Sequence, residues 1–207
     1  MPIKNKDIAK NNGLIKSGKV DLEIISFVSQ KEFEKWQEHN HHIITGIWIR
    51  FYKKNSGITS ITYDEALDVA LCYGWIDGQL KKYDELSYLQ KFTPRRPRSM
   101  WSKRNKDHVI RLEKEGKMKP SGINEVENAR RDGRWDKAYD SPGKMEVPED
   151  FIRELSKNRK AFGFFESLDK TNRYSIGWRL QTAKNAEIRE KRMKEIINMM
   201  EKEEKFH

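Results

Sequence analysis

The order of apolar and polar residues changes from strand-like in the first half of the chain to helical in the second. In the segment 46–53, Ile47, Ile49 and Phe51 alternate with Trp48, Arg50 and Tyr52, which predicts a strand. Two further alternating stretches, 79–83 and 86–92, are joined across Asp84-Glu85 and predict a hairpin. Together they predict a small antiparallel sheet of about three strands.

Helical patterns lie between these strands and dominate the rest of the chain. Thr62-Tyr63-Asp64-Glu65 has the form of a capping box and predicts a helix that ends at Gly74. A shorter helix is predicted over 29–37, and the chain beyond Pro97 is predicted to be helical to its end. The predicted helix starts in that part are Ser99 or Ser102, Pro120, Pro148, Asn158, Thr171 and Asn185.

This order of elements predicts an α+β fold, with a sheet and its helices first and an all-helical C-terminal half second. Three segments are predicted. Residues 1–20 form a mobile basic tail, 21–145 form an α+β domain, and 146–207 form a helical segment packed on that domain.

Composition favours a folded protein despite the high content of charge. The 207 residues have a mean hydropathy of −0.95 and are 36% charged, but six Trp, seven Tyr and nine Phe supply large side chains for a core. No apolar run approaches the roughly 18 residues of a membrane span, and the start MPIKNKDIAK lacks the apolar region of a signal peptide. We therefore expect a cytoplasmic protein without a membrane span.

The net charge of +10 is concentrated in two segments. Residues 1–20 carry a net +4, and residues 91–106, KFTPRRPRSMWSKRNK, hold seven basic residues and no acidic residue. The rest of the chain is close to neutral. Charge therefore points to a partner only through these two segments.

The segment 91–106 is the strongest candidate site. Its arginines precede a predicted helix N-terminus, where the helix dipole favours negative charge and therefore disfavours these cations. An anion held by guanidinium groups and helix amides would offset this electrostatic cost. Trp101 is expected to offer a stacking face. The predicted anion- or ligand-binding residues are Arg95, Arg96, Arg98, Trp101, Ser102, Lys103, Arg104 and Asn105.

Two alternatives to an anion site remain open for this segment. The arginines can pair with acids elsewhere in the fold and be purely structural. They can also bind nucleic acid, in which case seven phosphate contacts would give a log–log salt slope of about −6.

Other chemistry-bearing residues give weaker signals. Asp77, in Gly74-Trp75-Ile76-Asp77-Gly78, is a weak candidate for an acid or base in a small enzyme, but Asp-Gly is also an ordinary turn. Cys72 is the single cysteine and is expected to be a buried structural thiol. The cluster of His39, His41 and His42 has poor spacing for shared metal ligands, so no metal and no cofactor is predicted.

Several of these blocks resemble the YdeI/OmpD-associated family, also labelled bacteriocin-protection proteins. The resemblance spans about residues 30–201 and implies a bacterial or archaeal α+β protein related to bacteriocin or envelope stress, without established catalytic residues. The matching stretches are GIWIRFYKK at 46–54, YDEALDVALCYGWIDG at 63–78, FTPRRPRSMWSKRN at 92–105, LEKEGKMKPSG at 112–122, ARRDGRW at 129–135 and the helical part from VPEDF onward.

Three functions are therefore predicted in order of preference. The first is a non-catalytic, stress- or bacteriocin-protection-related protein that binds an anionic small molecule or phosphate group. The second is nucleic-acid binding through the same basic segment, and the third is a small enzyme that uses Asp77. The sequence leaves the ligand and the oligomeric state open.

Overall fold

A computed structural model describes residues 14–17, 20–141 and 143–207 of the chain. It contains two compact units. The first holds the residues up to Ser99 together with Asp107–Asp132, and the second holds Met100–Lys106 together with Gly133–His207. The predicted mobile tail, 1–20, lies largely outside the described residues, and the predicted domain boundary at residues 145 and 146 stays a prediction.

The first unit is built on a mixed β-sheet. Its strands are β1 (Leu14–Ser17), β2 (Val20–Ile25), β3 (Ile47–Tyr52), β4 (Trp75–Lys82) and β5 (Ser87–Pro94), in the order β1-β2-β3-β5-β4. The three predicted strands, β3, β4 and β5, pair antiparallel, and the predicted hairpin joins β4 to β5. The α+β class is confirmed, but β2 runs parallel to β3, so the sheet is mixed and larger than predicted.

Four helices accompany this sheet along the chain: α1 (Gln30–Asn40), α2 (Tyr63–Cys72), α3 (Lys103–Lys114) and α4 (Pro120–Arg131). The first residues of α3 belong to the second unit and the remainder to the first. The predicted capping box is present, since the Thr62 hydroxyl accepts from the Glu65 amide and the Glu65 carboxylate accepts from the Thr62 amide. Gly74 follows α2 with a φ of +78°, a backbone conformation that favours glycine.

Aromatic side chains fill the core between the sheet and its helices. Phe33 of α1 and Phe92 of β5 are both fully buried, with ring centroids 6.2 Å apart. Trp36 meets Trp75 edge to face at 5.9 Å, and the Trp75 indole donates to the His41 carbonyl oxygen. These contacts fix the start of β4, and therefore the position of the neighbouring end of β5, which leads into the basic segment.

The second unit contains four further helices: α5 (Glu149–Leu155), α6 (Arg159–Glu166), α7 (Lys170–Gln181) and α8 (Ala186–Glu201). Asn158 and Asn185 cap α6 and α8 as predicted. The predicted start of α7 at Thr171 is wrong, because the carboxylate of Asp169 accepts from the Asn172 amide and begins the helix earlier. The buried core of these helices consists of Phe151, Leu155, Ala161, Phe165, Leu168, Ile176, Leu180, Ile196 and Met200.

No helix in the described part of the chain is both long enough and apolar enough to cross a membrane.

Candidate functional site

The basic segment leaves the sheet through a tight turn at the end of β5. The backbone amide of Arg95 donates to the Gly74 carbonyl oxygen at 3.0 Å, which ties the segment to the junction of α2 and β4. The amide of Ser99 then donates to the carbonyl oxygen of Arg96 at 3.0 Å and closes a four-residue turn. We refer to Arg96–Ser99 as the arginine turn.

The arginine turn combines an ordinary and an unusual residue. Pro97 occupies its second position, where the fixed φ of proline suits a turn. Arg98 occupies the third position with a φ of +67°, as a type II turn requires, but that place normally belongs to glycine or asparagine. A residue with a Cβ in this left-handed conformation costs roughly 1–2 kcal/mol. Arg98 therefore stores local backbone strain.

The three arginines of this part of the segment have different environments. Arg95 is buried, with 6% of its surface exposed, and its Nη1 donates to the Ser99 hydroxyl at 3.3 Å. Arg96 and Arg98 are exposed. Neither of these two forms an ion pair among the described residues. The buried Arg95 therefore stabilises the arginine turn through Ser99, while the guanidinium groups of Arg96 and Arg98 face solvent.

Residues 101–106 are held by contacts within the second unit. Trp101 is 1% exposed and packs edge to face against Trp135 at 5.0 Å, so the expected stacking face is occupied. The buried hydroxyl of Ser102 accepts from the amide of the buried residue Asn105 at 3.1 Å and caps α3. The amide of Lys103 donates to the Tyr139 carbonyl oxygen at 2.8 Å. Two of the helix amides predicted to hold an anion, those of Lys103 and Asn105, therefore have partners within the chain.

Charges in this part of the segment also have local roles. The Lys103 ammonium lies 2.7 Å from the Asp140 carboxylate. Hydrogen bonds from Lys103 and then from Gln181 lower the pKa of Asp140. The Lys106 ammonium lies 5.1 Å from the centre of the Trp135 ring. Arg104 is exposed, but its side chain is not free of interactions with other residues. For these residues the structural alternative accounts for the observed contacts.

Asp77 lies on β4, half-buried, and accepts a hydrogen bond from the Tyr63 hydroxyl at 2.8 Å. This bond links β4 to the first residue of α2. Cys72 is buried, and burial, assisted by the Asp68 carboxylate, raises the pKa of its thiol to about 12. Burial and a raised pKa both favour the protonated thiol, as expected for a structural cysteine.

The histidines of the cluster lie at and just beyond the end of α1. The Nδ1 atoms of His39 and His41 lie 2.9 and 3.1 Å from the carbonyl oxygens of Lys35 and Gln37 of that helix, and the rings of His41 and His42 lie 6.1 Å apart. Across residues 14–17, 20–141 and 143–207, no group of three or more histidine, cysteine and acidic side chains is arranged to hold a metal ion.

Sequence reasoning identified the basic segment but missed its division into a strained exposed turn and a packed helix start. The signal for the turn was Arg-Pro-Arg-Ser, since proline is favoured at the second position of a turn. No signal in the sequence placed Trp101 against Trp135.

These features define an α+β protein with a helical C-terminal part. Residues 25–125 match a family model described as Domain of unknown function (DUF8412). Residues 144–203 match the model described as Bacteriocin-protection, YdeI or OmpD-Associated, which confirms the predicted resemblance for this part of the chain. The predicted resemblance over 46–122 falls instead in the match to the domain of unknown function. Comparisons with curated proteins and with solved structures found no match.

Proposed function

We propose that the protein acts without catalysis, in relation to bacteriocin protection or stress, by binding an anionic ligand at the arginine turn. The observation that carries this proposal is the left-handed backbone of Arg98, whose side chain is exposed and has no ion pair among the described residues. Strained residues persist where the surrounding structure holds them, and they cluster at binding sites. The proposal includes a cytoplasmic location.

The chemistry of the turn suits a phosphate or carboxylate group. Each guanidinium carries several N–H donors in a planar fork, which matches two oxygens of such a group. Arg96 and Arg98 lie two residues apart across Pro97, and Arg95 supports the turn through Ser99. Two exposed arginines on a stiffened turn suit a single anionic group better than an extended polyanion.

Few of the basic side chains in the segment are available to contact nucleic-acid phosphates, which argues against the nucleic-acid alternative. Trp101 is buried, Lys103 pairs with Asp140 and Arg95 is buried, so most of the segment does not form a stacking and phosphate-contacting surface. If Arg96 and Arg98 each contacted one phosphate, the salt slope would be about −1.8, compared with about −6 for all seven basic residues. A measured slope near −6 with oligonucleotides would favour nucleic acid as the ligand.

The enzymatic alternative uses Asp77 as an acid or base, but the Asp77 carboxylate accepts a hydrogen bond from the Tyr63 hydroxyl. This contact gives the carboxylate a structural role in joining α2 to β4. The chain's own contacts therefore favour the binding function over catalysis by Asp77.

The test is a calorimetric titration of the full chain with inorganic pyrophosphate, at low ionic strength. A hydrogen bond between charged groups contributes roughly 1.5–3 kcal/mol, so we expect Arg98→Gln to weaken binding about 10- to 100-fold, and Arg96→Gln similarly. The matched control is Arg131→Gln, which removes the same charge from an exposed position at the end of α4.

Two results would contradict the proposal. One is the lack of saturable binding up to about 10 mM pyrophosphate, where even a dissociation constant of about 1 mM would be visible. The other is an equal loss of affinity in the Arg131→Gln control, which would show that only the net charge matters.

A further inference from the structure

A groove of about 490 Å³ opens on the first unit beside the end of β3. Its walls come from four parts of the chain: the end of β3 with the two lysines that follow it, the loop 58–62, the start of α2, and Tyr88 of β5. The volume lies within the range of roughly 300–1,000 Å³ typical of small-molecule sites. The arginine turn contributes no residue to the lining.

The groove lies beyond the point where the pairing of β2 with β3 stops. β2 pairs with β3 only at Trp48 and Ile49, so the last residues of β3 are not paired with β2. The loop 58–62 fills part of the space, and the amide of Tyr52 donates to the Ser60 hydroxyl at 3.2 Å. The loop 58–62 therefore covers part of this edge of β3, and the groove lies beside the remainder.

The interior of the groove is aromatic and its rings are held in place. Phe51 is 1% exposed and forms the floor, and the Tyr88 ring stacks on it at 5.3 Å with 17° between the planes. The Tyr63 ring lies 6.4 Å from Phe51, and its hydroxyl is anchored on Asp77. Pre-positioned aromatic faces favour a flat, apolar ligand, because such a ligand buries area without ordering the site.

The charged residues of the lining are both positive. Lys53 and Lys54 line the groove, and the lining contains no Asp or Glu. The Lys53 ammonium donates to the Glu85 carbonyl oxygen at 2.7 Å, while Lys54 is exposed. At Tyr88, burial and, second, the Asp64 carboxylate raise the pKa of the phenol. Negative charge is therefore favoured at the lysine side of the groove rather than beside Tyr88.

We propose that this groove binds a small ligand in which an aromatic ring carries a phosphate or carboxylate group. The ring lies against the half-buried rings of Tyr63 and Tyr88, which the buried Phe51 supports, and the anionic group faces Lys54. This site shares no residue with the arginine turn and adds an aromatic requirement to the anionic one, and it does not depend on the function proposed for that turn.

The test uses phenyl phosphate, phenol and inorganic phosphate as probes, with binding followed by calorimetry and by NMR of the full chain. We expect phenyl phosphate to bind with a dissociation constant on the order of 1 mM or tighter, and each half-probe at least about 10-fold more weakly. Ile58→Glu places a negative charge in the lining and should weaken phenyl phosphate binding about 10-fold or more. Lys54→Gln should weaken it about 3- to 10-fold.

The chain offers a closely matched control. Ile58 is 37% exposed, and Ile123, on α4 and outside the groove, is 39% exposed. Ile123→Glu should therefore change stability and net charge as Ile58→Glu does, while leaving phenyl phosphate binding unchanged.

Three outcomes would overturn the proposal: no saturable binding of phenyl phosphate at 10 mM, equal effects of Ile58→Glu and Ile123→Glu, or, in the Arg98→Gln variant, binding of inorganic phosphate as tight as that of phenyl phosphate. An Arg98→Gln variant separates the two sites. It should leave the affinity for phenyl phosphate in the groove within about twofold of wild type, whether or not the arginine turn binds pyrophosphate.

Discussion

The strained backbone of Arg98 makes a quantitative prediction, because glycine and alanine should change stability there in an unusual order. With a φ of +67°, alanine keeps the left-handed strain of roughly 1–2 kcal/mol, and glycine removes it. Glycine also gives the unfolded chain more conformational freedom, which costs about 0.4–1 kcal/mol. Taken at their midpoints, the two effects leave Arg98→Gly more stable than Arg98→Ala by about 0.8 kcal/mol.

Thermal unfolding monitored by tryptophan fluorescence measures this difference. For a chain of this length, about 1 kcal/mol corresponds to roughly 2–4 °C, so Arg98→Gly should melt about 1–4 °C above Arg98→Ala. Both variants lack the guanidinium and should lose pyrophosphate binding equally. If Arg98→Ala proves as stable as Arg98→Gly, or more stable, the left-handed strain that supports the proposed site does not exist.

Three further predictions concern packing and protonation. Gly122→Ala should lower the melting temperature by several degrees, because the added Cβ would collide with the Cys72 carbonyl oxygen. Gly163→Ala, on α6 with open space around it, should raise the free energy of unfolding by up to about 1 kcal/mol. Similar shifts in both variants would refute this prediction. With its pKa raised to about 12, the Cys72 thiol should resist Ellman's reagent at pH 8 in the native protein and react fully in urea; rapid labelling of the native protein would contradict its burial. The lowered pKa of Asp140 contributes stability that is present above the unfolded-state pKa and is lost as pH falls through the folded-state pKa, so Asp140→Asn should flatten the loss of stability below about pH 4. An unchanged acid profile in Asp140→Asn would show that the Lys103 contact has no such effect.

Local patterns predicted most of the elements of this fold. The hairpin of β4 and β5 and the capped start of α2 depend on residues close together in sequence, so alternation and capping signals were sufficient. The sequence reasoning overlooked β2, although Val20, Leu22 and Ile24 alternate with acidic residues. Its parallel pairing with β3 is a distant contact, and no local pattern specifies it.

The candidate site was only partly predictable for the same reason. The basic run and Pro97 are visible in the sequence, and they located the arginine turn. The burial of Trp101 depends on Trp135, and the engagement of Lys103 depends on Asp140, both distant along the chain. The groove beside β3 was not anticipated, because it lies where the pairing of β2 with β3 stops and no sequence motif marks that point.

The division of the chain has a consequence for how such proteins can be rearranged during evolution. The short piece Met100–Lys106 belongs to the helical unit, yet the intervening piece Asp107–Asp132 belongs to the other unit. The match to the YdeI/OmpD-associated family begins only at residue 144. A gene fusion that transferred residues from 144 onward would leave behind Trp101 and Trp135, the buried pair that this unit uses here. In this chain the boundary at which a family is recognised is therefore not a boundary at which the helical unit can be inherited intact.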